Sequence, residues 1–144
     1  MNELVVVGGG KMGEALVSGL IRSGWCEPSG VTVVEPMAAR RDELATAVPG
    51  VQVVEVLDEV SAVRDAIVAV KPPLVASVCS MLAEAGVTRV LSIAAGVRIE
   101  VLEGALGAGA SVIRAMPNTP ALVGAGAAAI AAGSAASADD VAWA

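Results

Sequence analysis

The chain has 144 residues, of which 56% are apolar and 17% are charged, and its formal net charge is −6. This composition excludes a disordered tail and indicates one domain with a hydrophobic core. The basic residues are spread along the chain without a basic run, which argues against a nucleic-acid-binding surface. Because the chain has no Phe or Tyr and only two Trp, the core must be built from small and branched side chains, which suit a buried parallel sheet.

A glycine-rich turn follows the first predicted strand, residues 4–7. Residues 8–13 read GGGKMG, which has the G-x-G-x-x-G spacing, and an amphipathic helical pattern follows. A strand, a glycine turn and a helix N-terminus together form an anion site, because unpaired N–H groups and the helix dipole converge there. We interpret the turn as a dinucleotide site, with a plain strand-to-helix turn as the alternative.

Strands and helices alternate along the chain. Strands are predicted at residues 4–7, 31–34, 51–54, 66–70, 89–93 and 111–115, and helices at 11–23, 38–47, 74–85 and 98–106. Repeated β-α-β units predict an α/β fold with a Rossmann-type, doubly wound and mainly parallel sheet. The stretch 115–138 has no charged residue and is rich in Ala and Gly, so we predict a buried loop and strand rather than a membrane span.

Two conflicting signals follow the second predicted strand. Glu35 lies at its end, where a carboxylate can accept a hydrogen bond from a ribose 2′-OH and favours NAD. Arg40 and Arg41 follow closely, and a guanidinium there could instead bind a 2′-phosphate. The structural alternative places Glu35 at a strand end and both arginines on a solvated helix face. The sequence leaves this choice open.

Three further segments end predicted strands at the edge of the sheet where ligands bind in open α/β folds. Lys71 ends the fourth strand and is placed near phosphate or ribose, although the proline after it is a sufficient structural reason for the pair. The small residues 92–96 let a flat ring or ribose approach the backbone, and they equally allow close helix packing. In 114–120, two prolines bracket Asn118 and Thr119 in a stiff turn with polar donors, for which we favour a functional role.

Residue types that are missing narrow the chemistry further. The chain has no His, so imidazole acid–base catalysis is excluded, and no metal site is predicted. Cys26 and Cys79 have no close spacing and are interpreted as thiols in a reducing cytosol. Met1, Asn2 and Glu3 provide no basic start for a secretory signal. We therefore predict a cytoplasmic protein that binds neither nucleic acid nor membranes.

These motifs in this order resemble the N-terminal domain of pyrroline-5-carboxylate reductase, the last enzyme of proline biosynthesis. The matching segments are GGGKMGEAL at 8–16, AVKPP at 69–73, SIAAGV at 92–97 and RAMPNTP at 114–120, followed by a small-residue run from Gly124. The glycine motif alone would be generic, but its combination with the other three segments is specific. The resemblance covers nearly the whole chain.

The resemblance implies a reductase that transfers hydride from NADPH, or from NADH, to the C=N carbon of Δ1-pyrroline-5-carboxylate and forms L-proline. A missing histidine suits this chemistry, because a cyclic imine can arrive protonated from water. Asn118 and Thr119 would lie near the nicotinamide and the substrate, as candidates for the catalytic positions. The implied cofactor-binding residues are Gly8, Gly10, Lys11, Met12, Gly13, Glu35, Arg40, Arg41, Ala69, Val70, Lys71, Pro72, Ile93, Ala94, Ala95, Gly96 and Asn118.

The family's second domain is helical, builds the dimer and supplies much of the substrate-carboxylate site. From Ser137, a predicted N-cap, this sequence starts a helix of barely one turn. We therefore expect an NAD(P)-binding domain at residues 1–136 and the start of a truncated helical segment at 137–144, with the helical dimerisation domain absent. The full-length protein is expected to be a homo-oligomer that acts on a small-molecule substrate. The chain alone is expected to bind cofactor weakly and to lack activity.

One departure and three alternatives remain. Family members often have Asn where this chain has Lys11, which adds a positive charge beside the phosphates. The chain could instead be the cofactor domain of another two-domain reductase, either a β-hydroxyacid dehydrogenase or a deazaflavin-dependent NADP reductase. A non-enzymatic dinucleotide-sensing module would keep the glycine turn without needing the segment 117–120.

Overall fold

The computed structural model describes residues 4–60 and 62–144, so the prediction made for Met1, Asn2 and Glu3 lies outside the described residues. The strands are β1 (Leu4–Val7), β2 (Val31–Val34), β3 (Gln52–Val54), β4 (Asp65–Val68), β5 (Arg89–Ser92), β6 (Ser111–Pro117) and β7 (Ala128–Ala132). The helices are α1 (Lys11–Arg22), α2 (Ala38–Ala47), α3 (Val75–Glu84), α4 (Ile99–Leu106) and α5 (Ala138–Trp143). Short 3-10 helices lie at Pro28–Gly30, Leu57–Glu59, Pro72–Leu74 and Thr119–Val123.

The described strands form one sheet in the order β3-β2-β1-β4-β5-β6-β7. Neighbouring strands are parallel except β6 and β7, which are antiparallel. The strand order reverses beside β1, because β4 follows β3 in the chain but pairs with the other edge of β1. The predicted Rossmann-type, mainly parallel sheet is confirmed, and its ligand-binding crevice is expected at this reversal.

The central strands are buried on both faces, which explains why their sequence is a continuous run of branched residues rather than an alternating one. Val5 and Val7 pack into the cluster that contains the α3 residue Leu82 and the α4 residue Leu102. Leu4 and Val6 pack into the opposite cluster, which contains residues of α1 and α2 such as Val17 and Leu44. Helices therefore cover both faces of the sheet.

The charge-free stretch 115–138 forms the end of β6, a 3-10 helix and the antiparallel strand β7. The prediction that this stretch is buried was wrong, because all five residues of β7 are exposed and Val123 in the 3-10 helix is 77% exposed. Alanine has too little apolar surface to require burial, so the absence of charged residues in this stretch did not indicate that it is part of the core. None of the helices in the described part of the chain has the length and apolar character that crossing a membrane requires.

A charged cluster holds α5 against the start of β5. Arg89 donates Nε to Asp65 Oδ1 at 2.9 Å and Nη2 to Asp65 Oδ2 at 2.5 Å, and its Nη1 lies 3.5 Å from Asp140 Oδ1. Ser137 is the N-cap of α5, as predicted, and hydrogen bonds from Ser137 and Ser111 hold the pKa of Asp140 well below its ordinary value. The Arg89 guanidinium also lies 4.4 Å from the ring centre of Trp143. This cluster fixes the short helix that a sequence of six residues could not stabilise alone.

Candidate functional site

Two clefts lie where the chain leaves the carboxyl ends of β1, β2, β4 and β5. The first has a volume of about 510 Å³ and contains six of the predicted binding residues, which are Gly8, Gly10, Glu35, Ala69, Val70 and Lys71. The second has a volume of about 460 Å³ and contains Gly10, Lys11, Met12, Ala69, Val70, Lys71, Pro72, Ile93, Ala94 and Ala95. The structure therefore brings the glycine turn and the loops after β4 and β5 together, as the sequence predicted.

Other predicted residues do not line these two clefts. Gly13 is buried within α1, and Arg40 and Arg41 lie on α2. Gly96 is exposed beyond the loop after β5. Asn118 and Thr119 are also outside both clefts, although Met116 and Pro117 just before them line the second. The roles of these residues remain predictions.

The sequence missed the apolar wall of the first cleft. Met37, Val56, Leu74 and Met81 line it, and each is more than 40% exposed. Exposed large apolar side chains around a concave surface are typical of a ligand-binding site. Nothing in the sequence separates such residues from ordinary core positions, because Leu74 and Met81 continue the apolar pattern of a helix.

The glycine turn is shaped by two close backbone approaches. Gly8 has φ +107°, donates its N–H to Val34 O at 3.0 Å, and would press a Cβ atom against the carbonyl oxygen of Ala69. A Cβ on Gly13 would likewise meet the carbonyl oxygen of Gly8. Glycine at these two positions is therefore required by the chain's own packing.

Gly10 has a different reason to be glycine. A Cβ there would meet no heavy atom within 4 Å, yet Gly10 lines both clefts. It is also the N-cap of α1, and because glycine has no side chain, the first N–H groups of the helix receive no side-chain cap. A bare backbone with unpaired donors at a helix N-terminus suits the close approach of a phosphate.

The second cleft is locally positive although the chain is acidic. The sequence contains two lysines, Lys11 and Lys71, and both line the second cleft and are exposed. Both residues line this cleft together with Gly10 of the glycine turn. The residues present therefore fit the pyrophosphate of a dinucleotide, and the fit depends on local groups rather than on the net charge of −6.

Glu35 is buried at the end of β2, where it braces the turn. Its Oε2 accepts the N–H of Gly9 at 3.1 Å and its Oε1 accepts the N–H of Met37 at 2.9 Å. A carboxylate oxygen has two acceptor positions, so these bonds leave room for a ribose hydroxyl. Glu35 therefore has a structural role that the sequence did not reveal, and its ribose role remains a prediction.

Both candidate 2′-phosphate arginines already have partners within the chain. Arg40 donates to Gly9 O, Glu14 and Glu43, and hydrogen bonds to Glu43 and Glu14 raise the pKa of Arg40. The same contact with Arg40 lowers the pKa of Glu43. Arg41 donates to Glu35 O at 3.0 Å, to Pro36 O at 2.7 Å and to Glu55 at 3.1 Å. These contacts favour neither side of the NAD or NADP alternative by themselves.

Asn118 organises its own loop. Its Oδ1 accepts the N–H of Ala127 at 2.9 Å, and its N–H donates to Ala127 O at 3.1 Å. These bonds close the loop that contains the 3-10 helix Thr119–Val123 and connect β6 to β7. The rigid turn predicted from the two prolines is therefore stabilised by Asn118 itself.

Residues 3–96, more than half of the chain, match the family model described as NADP oxidoreductase coenzyme F420-dependent. The chain belongs to this family. The matched range of this NADP oxidoreductase family member contains the glycine turn, Glu35 and the loops after β4 and β5. It therefore contains almost every residue that lines the two clefts.

Individual relatives of this chain point to one enzyme within the family. Pyrroline-5-carboxylate reductase of Mycobacterium leprae is 42% identical over 133 residues, which are 88% of this chain and 45% of that protein. The structure of a pyrroline-5-carboxylate reductase from Coxiella burnetii matches with a TM-score of 0.88 and 28% identity, over 99% of this chain and 53% of that one. The chain spans about half the length of the curated relatives it matches. The resemblance inferred from the four motifs is confirmed.

A third match shows the fold alone. Plasmodium falciparum pyrroline carboxylate reductase, solved with NADP bound, matches with a TM-score of 0.82 and 23% identity, over 98% of this chain and 52% of that one.

Proposed function

We propose that the protein to which this chain belongs reduces Δ1-pyrroline-5-carboxylate to L-proline with NADPH, or with NADH, and that the chain supplies the cofactor-binding part. The observation that carries the proposal is the convergence of the glycine turn with the loops after β4 and β5 on two adjoining clefts. These segments are among those that resemble pyrroline-5-carboxylate reductase, and relatives of that name are 36–42% identical. A generic dinucleotide-binding domain would explain the glycine turn but not the other segments.

The two clefts would hold different parts of the dinucleotide. The apolar wall of the first cleft, with Met37 and Leu74, suits an adenine ring, and Glu35 lies where a ribose would follow. Gly10 and the N-terminus of α1 suit the pyrophosphate, with Lys11 beside it. The small residues 93–95 in the second cleft suit the nicotinamide ribose. When bound, the reduced nicotinamide supplies the hydride.

The chain's own contribution to the reaction is binding and orientation. The chain has no His, and its two lysines are exposed at the second cleft rather than held in a protected site. We infer that the substrate enters as the protonated imine, whose proton comes from water, so that the protein needs no general acid in this part. Asn118 and Thr119 remain the proposed residues near the nicotinamide and the substrate.

Further parts of the proposal concern the whole protein. Residues 1–136 would form the dinucleotide-binding domain, and residues 137–144 would begin a helical segment that continues into a second domain. This second domain would complete the substrate site and form a homo-oligomer. The protein would work in the cytoplasm, where a reducing environment suits the buried thiol of Cys79, whose pKa is raised to about 11 by burial.

The test is a substrate panel on the protein expressed from its complete reading frame. We expect NADPH or NADH consumption that depends on pyrroline-5-carboxylate, with formation of L-proline, and no activity with β-hydroxyacids. The family description makes reduced coenzyme F420 the informative comparison. NADP⁺ reduction by reduced coenzyme F420, without turnover of the imine, would contradict the proposal and favour the deazaflavin-dependent alternative. Cofactor binding without turnover of any substrate would favour the sensing module.

A further inference from the structure

We propose that Arg40 is a positioning residue for the glycine turn, and that it fixes the backbone donors that hold the pyrophosphate of the cofactor. The proposal rests on the dinucleotide site proposed above. It differs from the expectation that Arg40 binds a 2′-phosphate, because the guanidinium contacts the turn itself. Arg40 Nε donates to Gly9 O at 2.6 Å, and its Nη2 lies 3.4 Å from Gly10 O.

These two contacts determine where the neighbouring N–H groups point. In a trans peptide the C=O and the following N–H lie in the peptide plane and point in opposite directions, and the described chain has no cis peptide bond. Since Arg40 holds the carbonyl of Gly9, the N–H of Gly10 is directed away from Arg40. The carbonyl of Gly10 is held by Arg40 and by the N–H of Glu14 at 2.9 Å, so the N–H of Lys11 is directed away in the same manner. Gly10 and Lys11 line the second cleft.

Arg40 is itself held in place by two acidic residues. Its Nη1 donates to Glu43 on α2 at 2.7 Å, and its Nη2 donates to Glu14 on α1 at 2.5 Å. The Arg40 side chain is 14% exposed, whereas its partners Glu14 and Glu43 are 27% and 63% exposed. Every nitrogen of the guanidinium thus has an acceptor within the chain. The arginine joins α2, the turn and the first turn of α1 into one unit.

A fixed turn lowers the cost of binding, because the ligand does not have to order the backbone donors that it uses. Loss of Arg40 would leave the carbonyl of Gly9 without this partner and would free its peptide plane, whereas the carbonyl of Gly10 would keep its hydrogen bond from the N–H of Glu14. Every ligand that uses the Gly10 and Lys11 donors would then bind less tightly, with or without a 2′-phosphate. A residue that reads the 2′-phosphate would instead affect NADPH alone.

The test compares ligands that share the pyrophosphate but differ elsewhere. Dissociation constants of NADPH, NADH and ADP are measured by calorimetry on the complete protein, at a temperature where circular dichroism shows each variant folded. We expect Arg40→Ala to raise all three constants by a common factor of about ten, which is about 1.4 kcal/mol. Arg40→Gln keeps an N–H donor for Gly9 O without the charge, and it is expected to recover part of the loss and to serve if the alanine variant does not fold.

Arg41→Ala is the matched control for ADP, which has no 2′-phosphate for Arg41 to bind. It removes the same charge from the same helix, and the hydrogen bonds of the Arg41 guanidinium go to Glu35, Pro36 and Glu55 rather than to the turn. It is expected to change ADP binding by less than about twofold. The proposal is overturned if Arg40→Ala weakens NADPH alone, if it leaves all three constants unchanged, or if Arg41→Ala weakens ADP equally. An unmodified protein that binds none of the three ligands would instead overturn the dinucleotide site, and with it the proposed function.

Discussion

Replacing Gly8 with alanine is expected to lower the free energy of unfolding by about 3 kcal/mol and to weaken NADPH binding by at least about tenfold. Gly8 has φ +107°, which an L side chain rarely adopts, and its Cβ would press against the backbone of Ala69. Backbone cannot move aside as a side chain can, so β1 and the loop after β4 must separate. Urea unfolding and calorimetric titration of NADPH measure the two effects.

The variant Gly86→Ala separates the effect of the positive φ from the effect of the clash. Gly86 follows α3 with φ +84°, but a Cβ there would meet no heavy atom within 4 Å. It therefore carries the backbone strain without the clash, and we expect a loss of about 1 kcal/mol and unchanged NADPH binding. Similar losses of stability in the two variants would show that the contact between Gly8 and Ala69 does not hold the turn.

Replacing Arg89 with alanine is expected to lower the free energy of unfolding by about 3 kcal/mol, because it leaves two shielded carboxylates without their partner. The side chains of Arg89, Asp65 and Asp140 are 14%, 13% and 9% exposed. The substitution also removes the cation from the face of Trp143, so α5 is expected to lose contact with the sheet. Urea unfolding followed by circular dichroism gives the stability, and Trp fluorescence reports on α5.

Arg64→Ala is the control for the loss of charge. Arg64 lies 3.9 Å from Asp65 Oδ1, but its side chain is 71% exposed. A solvated ion pair contributes little, so we expect a change within about 0.5 kcal/mol. If the two arginine variants lose the same stability, the shielded cluster has no special role and the account of α5 is wrong.

The sheet could be predicted from the sequence because its central strands are continuous runs of branched residues between clear turn signals. β1 and β2 were predicted to the residue, and α2 likewise. β7 was different, since a run of alanines has no period and no branched side chain except Ile130. Its place as an exposed antiparallel edge depends on pairing with β6 across a loop, which is a tertiary property.

The candidate site was predictable where it depends on backbone shape. The glycine turn and the residues after β4 and β5 have local signals, and the structure brings them together at the two clefts, whereas Asn118 and Thr119 lie outside both. The contacts of charged side chains were not predictable. Glu35 and Arg40 follow β2 at positions that suggest cofactor binding. In the structure both form hydrogen bonds with Gly9 and so support the glycine turn. Only the fold brings residues from β2 and α2 within reach of this turn.

The most direct test of the central claim follows the hydride. The complete protein is incubated with pyrroline-5-carboxylate and with NADPH or NADH that carries deuterium at the transferable position of the nicotinamide, and the proline formed is analysed by mass spectrometry and NMR. We predict L-proline with one deuterium on the ring carbon that was the imine carbon. Absence of proline, or proline without deuterium, would contradict the assignment of this chain to the cofactor-binding part of an imine reductase.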